Sequence, residues 1–572
     1  MKETGRSLYE RLCEYAGEGC YPFHMPGHKR NGKLFQQYED SGKPGCRSEG
    51  ESDGRTGDGP AARSAAVEIP YGIDITEIEG FDNLHQPEGI LKESMERAAE
   101  LYGADETFYL VGGSTCGLLA GISACTEPGD RILMARNCHK AVYHAVYLRG
   151  LRPVYLYPET EEEFGICGGI RPGSVRAALK RYPDIRLVVI TSPTYEGVVS
   201  KVSEIADIAH EEDIPLLVDE AHGAHFGFGF GFPDSSVHQG ADLVIHSVHK
   251  TLPSPTQTAL LHWREGFVPR ERVKQFLGMY QSSSPSYILM AGIDRCLELL
   301  GKHGSEIFSA WQKRLCGFYR EVRNLKRIRV FCGNRAVWEE CAEKCTEKCA
   351  ESGVEQRKAG RAGKDMSGEA EIADTDPSKL VISVKGTGYS GEWLYHRLVQ
   401  DYRLMPEMVS GDYIICMTGP GDTAEGMQRL SAALHELDGI LSGADPEQEP
   451  ARSGGVSELA ETSGPDPEHS VQEPYRIEAE QTAAVTAVTE EYSWQAQARG
   501  RRYERVLLAD SEGCVSAEYV WLYPPGIPLL VPGERVTKEL LAALSAYRRS
   551  GLSLKGMSDD TGDTILICRP ER

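Results

Sequence analysis

The 572-residue chain carries 62 Lys and Arg against 85 Asp and Glu, a formal net charge of −23, with 40% hydrophobic residues. At roughly 100–200 residues per domain this is a multidomain globular protein, and its acidic balance lacks the basic footprint of a nucleic-acid binder. No stretch approaches the roughly 18 uninterrupted apolar residues of a membrane span, and Met1-Lys2-Glu3-Thr4-Gly5-Arg6 has no apolar signal core, so a cytoplasmic location without a membrane partner is expected.

In chain order, residues 1–66 read as an N-terminal arm whose 41–66 stretch is rich in Gly, Ser, Arg and Asp. Such a stretch cannot bury enough surface to offset its ordering entropy, which predicts a flexible loop. From 67 to about 300, short apolar runs recur at 107–111, 131–134, 154–156, 187–191, 216–219, 242–246 and 258–261. Their length and continuous apolarity predict buried strands. Helix-length segments separate most of them, for example 203–212 with Ser203 as a possible cap, and that alternation predicts an α/β large domain with a mostly parallel sheet.

Residues 301–440 are expected to hold connecting helices and a small α/β domain, with strands at 379–384 and 413–417 around a helix near 392–400. A charged, Gly-rich segment at 351–377 interrupts it as a second flexible insertion. An acidic linker at 441–474, with eight acidic residues and one basic, precedes a C-terminal α+β domain at 475–572. The sixteen cysteines lack the density of a short secreted disulfide framework, so reduced thiols are expected. Cys341, Cys345 and Cys349 recur every fourth residue, but that spacing spreads them over about 12 Å of helix, too far for three ligands on one ion. No metal is predicted.

Ligands of parallel sheets bind beyond the carboxyl ends of the strands, and the informative polar residues lie at those ends. The first strand runs into Gly112-Gly113-Ser114-Thr115, ahead of an apolar helical stretch. Glycines admit an anion to the backbone, the hydroxyls donate, and a helix N-terminus adds free N–H groups; an ordinary cap would look the same. His139 follows the second strand and is placed to lie flat on an aromatic ring. Asp219 ends the apolar run 216–219, and His246-Ser247-Val248-His249-Lys250 follows, with Lys250 31 residues beyond Asp219. A lysine that captures an aldehyde, together with a buried carboxylate that keeps a ring nitrogen protonated, is what pyridoxal phosphate chemistry needs. Ser247 is read as a further phosphate contact, and His249 as an acid or a packing residue. Each piece alone fits solvated surface; the ordered series does not.

With these residues in place, the chain resembles the Orn/Lys/Arg decarboxylases, pyridoxal phosphate enzymes of fold type I. The resemblance rests on His24-Met25-Pro26-Gly27-His28-Lys29, Gly80-Phe81-Asp82-Asn83-Leu84-His85, Gly113-Ser114-Thr115, Asn137-Cys138-His139-Lys140, Ser192-Pro193-Thr194-Tyr195-Glu196-Gly197, Asp219-Glu220-Ala221-His222-Gly223, His246-Ser247-Val248-His249-Lys250, Ser283-Ser284-Pro285 and Tyr523-Pro524-Pro525-Gly526-Ile527-Pro528. It is closest to the short members, which lack an N-terminal wing domain. It implies phosphate contacts from Ser114, Thr115 and Ser247, ring stacking by His139, a ring-nitrogen partner in Asp219 and a Schiff-base lysine in Lys250. His222 would lie near the ring's phenolic oxygen, and Ser283 would reach the phosphate of a neighbouring chain in a homodimer or larger homo-oligomer.

The reaction implied by the resemblance is decarboxylation of a basic amino acid, with a proton returned to the α-carbon by Lys250 or His249. Arginine is the first choice, with lysine and ornithine as alternatives, and Glu518 is the candidate partner of the substrate's distal cation. Two other readings stand beside it. One is another fold type I reaction, such as transamination or acyl transfer, which would release no CO₂. The other is a non-catalytic homologue, which would show no visible cofactor absorbance.

Overall fold

The computed structural model describes residues 19–31, 33–36, 70–332, 374–443, 486–487, 502–522, 526–549, 554–559 and 561–569. The expected loop at 41–66, the cysteine series at 341–349, nearly all of the acidic linker and most of the 351–377 insertion lie outside these residues.

The main sheet contains β1 (Glu106–Leu110), β2 (Arg131–Ala135), β3 (Arg152–Leu156), β4 (Ile185–Thr191), β5 (Leu216–Asp219), β6 (Leu243–His246) and β7 (Ala259–Trp263). Their spatial order is 3-2-4-5-6-7-1, with the short strand Thr486–Ala487 added outside β3. Pairs among β2 to β6 are parallel, whereas β7 runs antiparallel to both β6 and β1. β1 therefore points the same way as β2, β5 and β6, and all four deliver their carboxyl ends to one edge. β2, β5 and β6 are buried along their whole length, which is why they read as uniformly apolar runs rather than alternating ones.

Helices α1 (Ile90–Tyr102), α2 (Gly113–Cys125), α3 (Lys140–Arg149), α4 (Pro172–Arg181), α5 (Val202–His210) and α6 (Arg270–Tyr280) flank this sheet. α1 and α3 stop at Gly103 and Gly150, both in the left-handed region that only glycine enters cheaply. α5 corrects one expectation. Ser203 lies inside the helix, and Lys201 occupies the cap position without a side-chain cap bond. The resulting architecture is the fold type I α/β arrangement with a mostly parallel sheet.

The 36-residue α7 (Tyr287–Val322) leads to a second, antiparallel sheet of β8 (Arg329–Val330), β9 (Lys379–Ser383), β10 (Met408–Val409) and β11 (Tyr413–Met417) in the order 8-9-11-10. Helices α8 (Gly391–Tyr402) and α9 (Ala424–Gly443) pack against it. The expected 351–377 insertion ends too late. Asp374–Thr375 pairs with Val198–Val199, and Asp376 is buried against His225, so its last four residues are ordered by the main sheet's neighbourhood. The acidic linker likewise starts too early, since α9 continues to Gly443 with Leu441 buried. C-terminal strands form two three-stranded sheets beside the helix Lys538–Arg549.

Candidate active site

The strand ends converge as the sequence order suggested. Past β1, α2 starts at Gly113 with Gly112 at its cap and no side-chain cap bond, leaving first-turn N–H groups to another partner. Ser114 Oγ lies 2.6 Å from Ser247 Oγ, which follows β6. Two hydroxyls at the head of a thirteen-residue helix make an anion cradle. Thr115 stands exposed beside them.

Asp219 closes β5, 4% exposed, and accepts the Ala221 N–H at 3.2 Å. Burial raises its carboxyl above the usual range, and the nearby Lys250 charge works against that. Lys250 sits in the helical turn Val248–Thr251, held by Lys250 N–H to Ser247 O at 3.1 Å. Burial lowers its ammonium pKa, and Asp219 and Glu407 oppose the shift. Its Nζ is 3.0 Å from His222 Nε2, and Lys379 Nζ from β9 is 2.7 Å from Nδ1 of the same ring.

His139 caps α3 by accepting the Ala141 N–H at Nδ1. Burial, with Lys250 as a secondary cause, holds its pKa down at about 3, so the ring is neutral. His249 is also neutral, lowered to about 4 mainly by burial, and its Nδ1 pairs with Thr258 O at 2.8 Å. That carbonyl only accepts, so Nδ1 carries the proton and Nε2 is bare. His249 is thus an acceptor at neutral pH, which weakens the expectation that it acts as an acid.

Two candidates stand apart. Ser283 is exposed in the segment before α7. Glu518 is buried and spends both oxygens on its own region, accepting Ser558 N–H and Leu566 N–H at 2.9 Å each. This carboxylate ties β-structure together inside the C-terminal region.

The N-terminal motif closes over the site. Gly27 N–H donates to His249 O at 2.9 Å, and a Cβ on Gly27 would meet the Thr251 carbonyl carbon at 2.5 Å. Only glycine fits that approach. Lys29 is buried and donates to His24 O and Met417 O, while Met25 N–H and Tyr195 OH both donate to Glu407. From the C-terminal side, Gly526 O accepts the Lys140 N–H, and Arg136 donates to Pro528 O, Leu529 O and Glu534. Both distant motifs are therefore brought to the edges of the His139 and Lys250 loops.

Behind the strand ends runs a buried polar chain that the motifs did not single out. Glu220 meets Ser235 Oγ, Ser236 N, Ser236 Oγ and His246 Nε2, the last at 2.7 Å. His246 Nδ1 is 3.0 Å from His262 Nε2, and His262 Nδ1 is 2.8 Å from Thr107 Oγ1. One chain thus crosses β6, β7 and β1 and starts beside Asp219. Burial pushes the Glu220 carboxyl up to about 8 against its hydroxyl and amide donors, and holds His246 down at about 3. Glu220→Ala removes the common partner of several buried donors, and an expected loss of roughly 3–5 kcal/mol follows. Urea unfolding of wild type and variant checks it; a loss below about 1 kcal/mol would contradict this accounting.

The sequence signal for Lys379, Asp376 and Glu407 was weak. Lys379 heads an apolar strand and Glu407 lies between two short ones, and neither position has a local pattern that says which residues it faces. Among the described residues, no helix is long and apolar enough to cross a membrane.

A family model described as Orn/Lys/Arg decarboxylase, major domain, matches residues 68–404, and one described as Orn/Lys/Arg decarboxylase, C-terminal domain, matches 476–562. Arginine decarboxylase of Halalkalibacterium halodurans is 30% identical over 562 residues, 98% of this chain and 97% of that protein. Arginine decarboxylase of Bacillus subtilis is 30% identical over 572 residues, 100% of this chain and 99% of that one. The solved structure of lysine decarboxylase A from Pseudomonas aeruginosa shares the fold, with a TM-score of 0.64 at 21% identity, over 86% of this chain and 73% of that chain. By family models that cover most of its length, and by full-length relatives, the chain belongs to the Orn/Lys/Arg decarboxylase family.

Proposed function

We propose that this protein is a pyridoxal phosphate-dependent decarboxylase of a basic amino acid, with L-arginine, giving agmatine and CO₂, as its first substrate. The observation that carries the reading is the meeting of Lys250, Asp219, His139, His222 and the Ser114–Ser247 hydroxyl pair at one edge of the sheet. Full-length similarity to proteins named arginine decarboxylase supports the substrate over lysine and ornithine.

The residues fit the cofactor group by group. The hydroxyl pair at the head of α2 suits a phosphate, with exposed Thr115 as a further donor. Asp219 is a buried carboxylate with one backbone donor, for which a protonated ring nitrogen is a fitting partner. Neutral His139 suits a ring face, and His222, held between Lys250 and Lys379, would stand near the phenolic oxygen as the resemblance implies. When bound, the cofactor supplies an aldehyde that captures the substrate amine and a ring that accepts the electron pair left as CO₂ departs.

Around it the chain's own residues divide the work. Lys250 would hold the cofactor's aldehyde carbon until substrate arrives, and as an ammonium it would be the proton donor to the α-carbon. Asp219 would hold a positive charge at the cofactor's ring nitrogen. Gly27 and the Gly526 loop narrow the approach from either side. Ser283, exposed in the single chain, is assigned to the phosphate of a neighbouring chain's site, which makes the working unit a homodimer or larger homo-oligomer.

The test is to incubate purified protein and added pyridoxal phosphate with arginine, lysine and ornithine together and to identify amines by mass spectrometry. Agmatine as the dominant product is expected. Cadaverine or putrescine in its place would reassign the substrate, and no amine from any of the three would overturn the decarboxylase reading.

A further inference from the structure

His222 touches two lysines, and the number of protons available makes that arrangement informative. Its ring is buried and neutral, so it carries one N–H and one bare nitrogen. Nε2 faces Lys250 Nζ at 3.0 Å and Nδ1 faces Lys379 Nζ at 2.7 Å. An ammonium has three donors and no acceptor. Whichever nitrogen bears the ring proton must therefore donate it to an uncharged amine, and with both bonds made at least one lysine is neutral. Two arrangements satisfy the triad equally. In one, Lys379 is the ammonium and Lys250 the amine; in the other, the ring has changed tautomer and the charges are exchanged. Moving between them shifts one proton along the line and brings no additional charge into the interior, where an uncompensated one is expensive.

Lys379 is built into this position. It is 1% exposed, at the start of β9 in the second sheet, whereas His222 and Lys250 belong to the first. Its stem passes Gly197, where a Cβ would lie 2.9 Å from Lys379 Cγ, so the chain leaves room only for glycine. The charged and titratable groups around the triad are Asp376, Glu407, Lys29 and the buried Glu196 near Lys379, Asp219 and Glu407 near Lys250, and His139 and His249 near both Lys250 and His222. Tyr195 packs edge-on against the ring at 4.7 Å. Burial, more than any neighbour, lowers the Lys379 ammonium to about 7, with Lys250 also lowering it and Asp376 opposing.

We propose that Lys379 is a positioning residue that exchanges one proton with Lys250 through His222, keeping Lys250 an amine for carbonyl capture and an ammonium for delivery to the α-carbon. This rests on the decarboxylase reading for its purpose, though not for its test. Decarboxylation breaks the bond between the α-carbon and the carboxylate, releases CO₂ and leaves the bonding pair on the substrate, where one proton must arrive. Lys379 passes its proton through the ring to Lys250 and Lys250 gives it to the α-carbon, which leaves both lysines as amines, and a proton taken up from water restores the pair after product leaves.

The experiment measures acetylation of Lys250 by trace acetic anhydride in the full-length chain before cofactor is added, from pH 5 to 10, by peptide mass spectrometry. Only the amine form reacts. Because Lys250 and Lys379 are coupled, the wild-type curve is expected in two steps. Lys379→Met removes the neighbouring cation and should leave one step, its midpoint about one unit higher, so that labelling at neutral pH slows roughly tenfold. Lys379→Arg keeps a cation that does not give up its proton and should leave one step without that rise. Circular dichroism checks each fold; if the Met variant does not fold, the Arg variant decides. A Lys250 curve identical in wild type and in the folded variant would overturn the proposal. Loss of amine production from every substrate, with the labelling shifts intact, would instead sink the decarboxylase reading alone.

Discussion

Lys250→Ala is expected to abolish amine formation, lowering kcat by roughly 10⁴-fold or more. The magnitude follows from what the side chain does at one place. Its Nζ is held beside His222 and close enough to Asp219 for their charges to interact, so a reacting carbonyl meets an amine already desolvated and oriented. A positioned group of that kind competes with free amine at an effective concentration of about 10⁵ M or higher, and millimolar methylamine should restore only a trace of the rate. The measurement is single-turnover product formation with and without added amine. A variant retaining a tenth of wild-type activity would show that Lys250 is not the capturing residue, whereas a loss that methylamine partly reverses would tie the effect to the missing amine rather than to altered packing.

Asp219→Asn should cost roughly 10²- to 10⁴-fold in kcat, the equivalent of about 3–5 kcal/mol for a buried charge pair that loses one partner. Asparagine preserves the shape and the acceptor for Ala221 N–H but cannot hold a cation at the ring nitrogen. Cofactor retention, read from visible absorbance after gel filtration, separates this from a binding defect. An Asn variant that keeps both its cofactor and its rate to within tenfold would refute the assigned role. The loss should be smaller for the first capture of substrate than for CO₂ release, because only the second step leaves an electron pair that needs the positive ring.

These two losses and the Lys379 test bear on different parts of the site. Asp219 ends β5 and Lys250 lies in the helical turn just past the adjacent parallel β6, so both are carried by the main sheet. Lys379 comes from the second sheet. Any shift of that sheet away from the first would separate Lys379 from His222 before it disturbed Lys250 or Asp219. The proton state of Lys250 is thereby tied to the packing of the two sheets.

The sequence by itself determined the strand series and the residues at the strand ends. A fully buried parallel strand needs a continuous apolar run, and the residue that ends such a run must face the ligand edge. Asp219, Ser247 and the Gly112–Gly113 turn were legible for that reason, and their order pointed to pyridoxal phosphate chemistry, while the choice of decarboxylation rested on the family resemblance. Segment boundaries were less legible. Polar composition marked 374–377 as part of an insertion, but pairing with Val198–Val199 and the burial of Asp376 against His225 override composition there. Ser203 resembled a cap, yet the backbone entered its helix earlier.

Only the tertiary structure decided which side chains meet across long sequence distances. Glu518 is acidic and close in sequence to the Pro-Gly-Ile-Pro motif, and its oxygens accept from Ser558 and Leu566, contacts that no local pattern encodes. The line from Glu220 through His246 and His262 to Thr107 links residues up to 155 positions apart. Lys379 reaches His222 across 157. Periodicity reports which face of an element is buried, not what lies opposite it. The partners of a buried polar group are set by how the two sheets pack, because each buried donor and acceptor must find its match there or lose the hydrogen bonds it had to water.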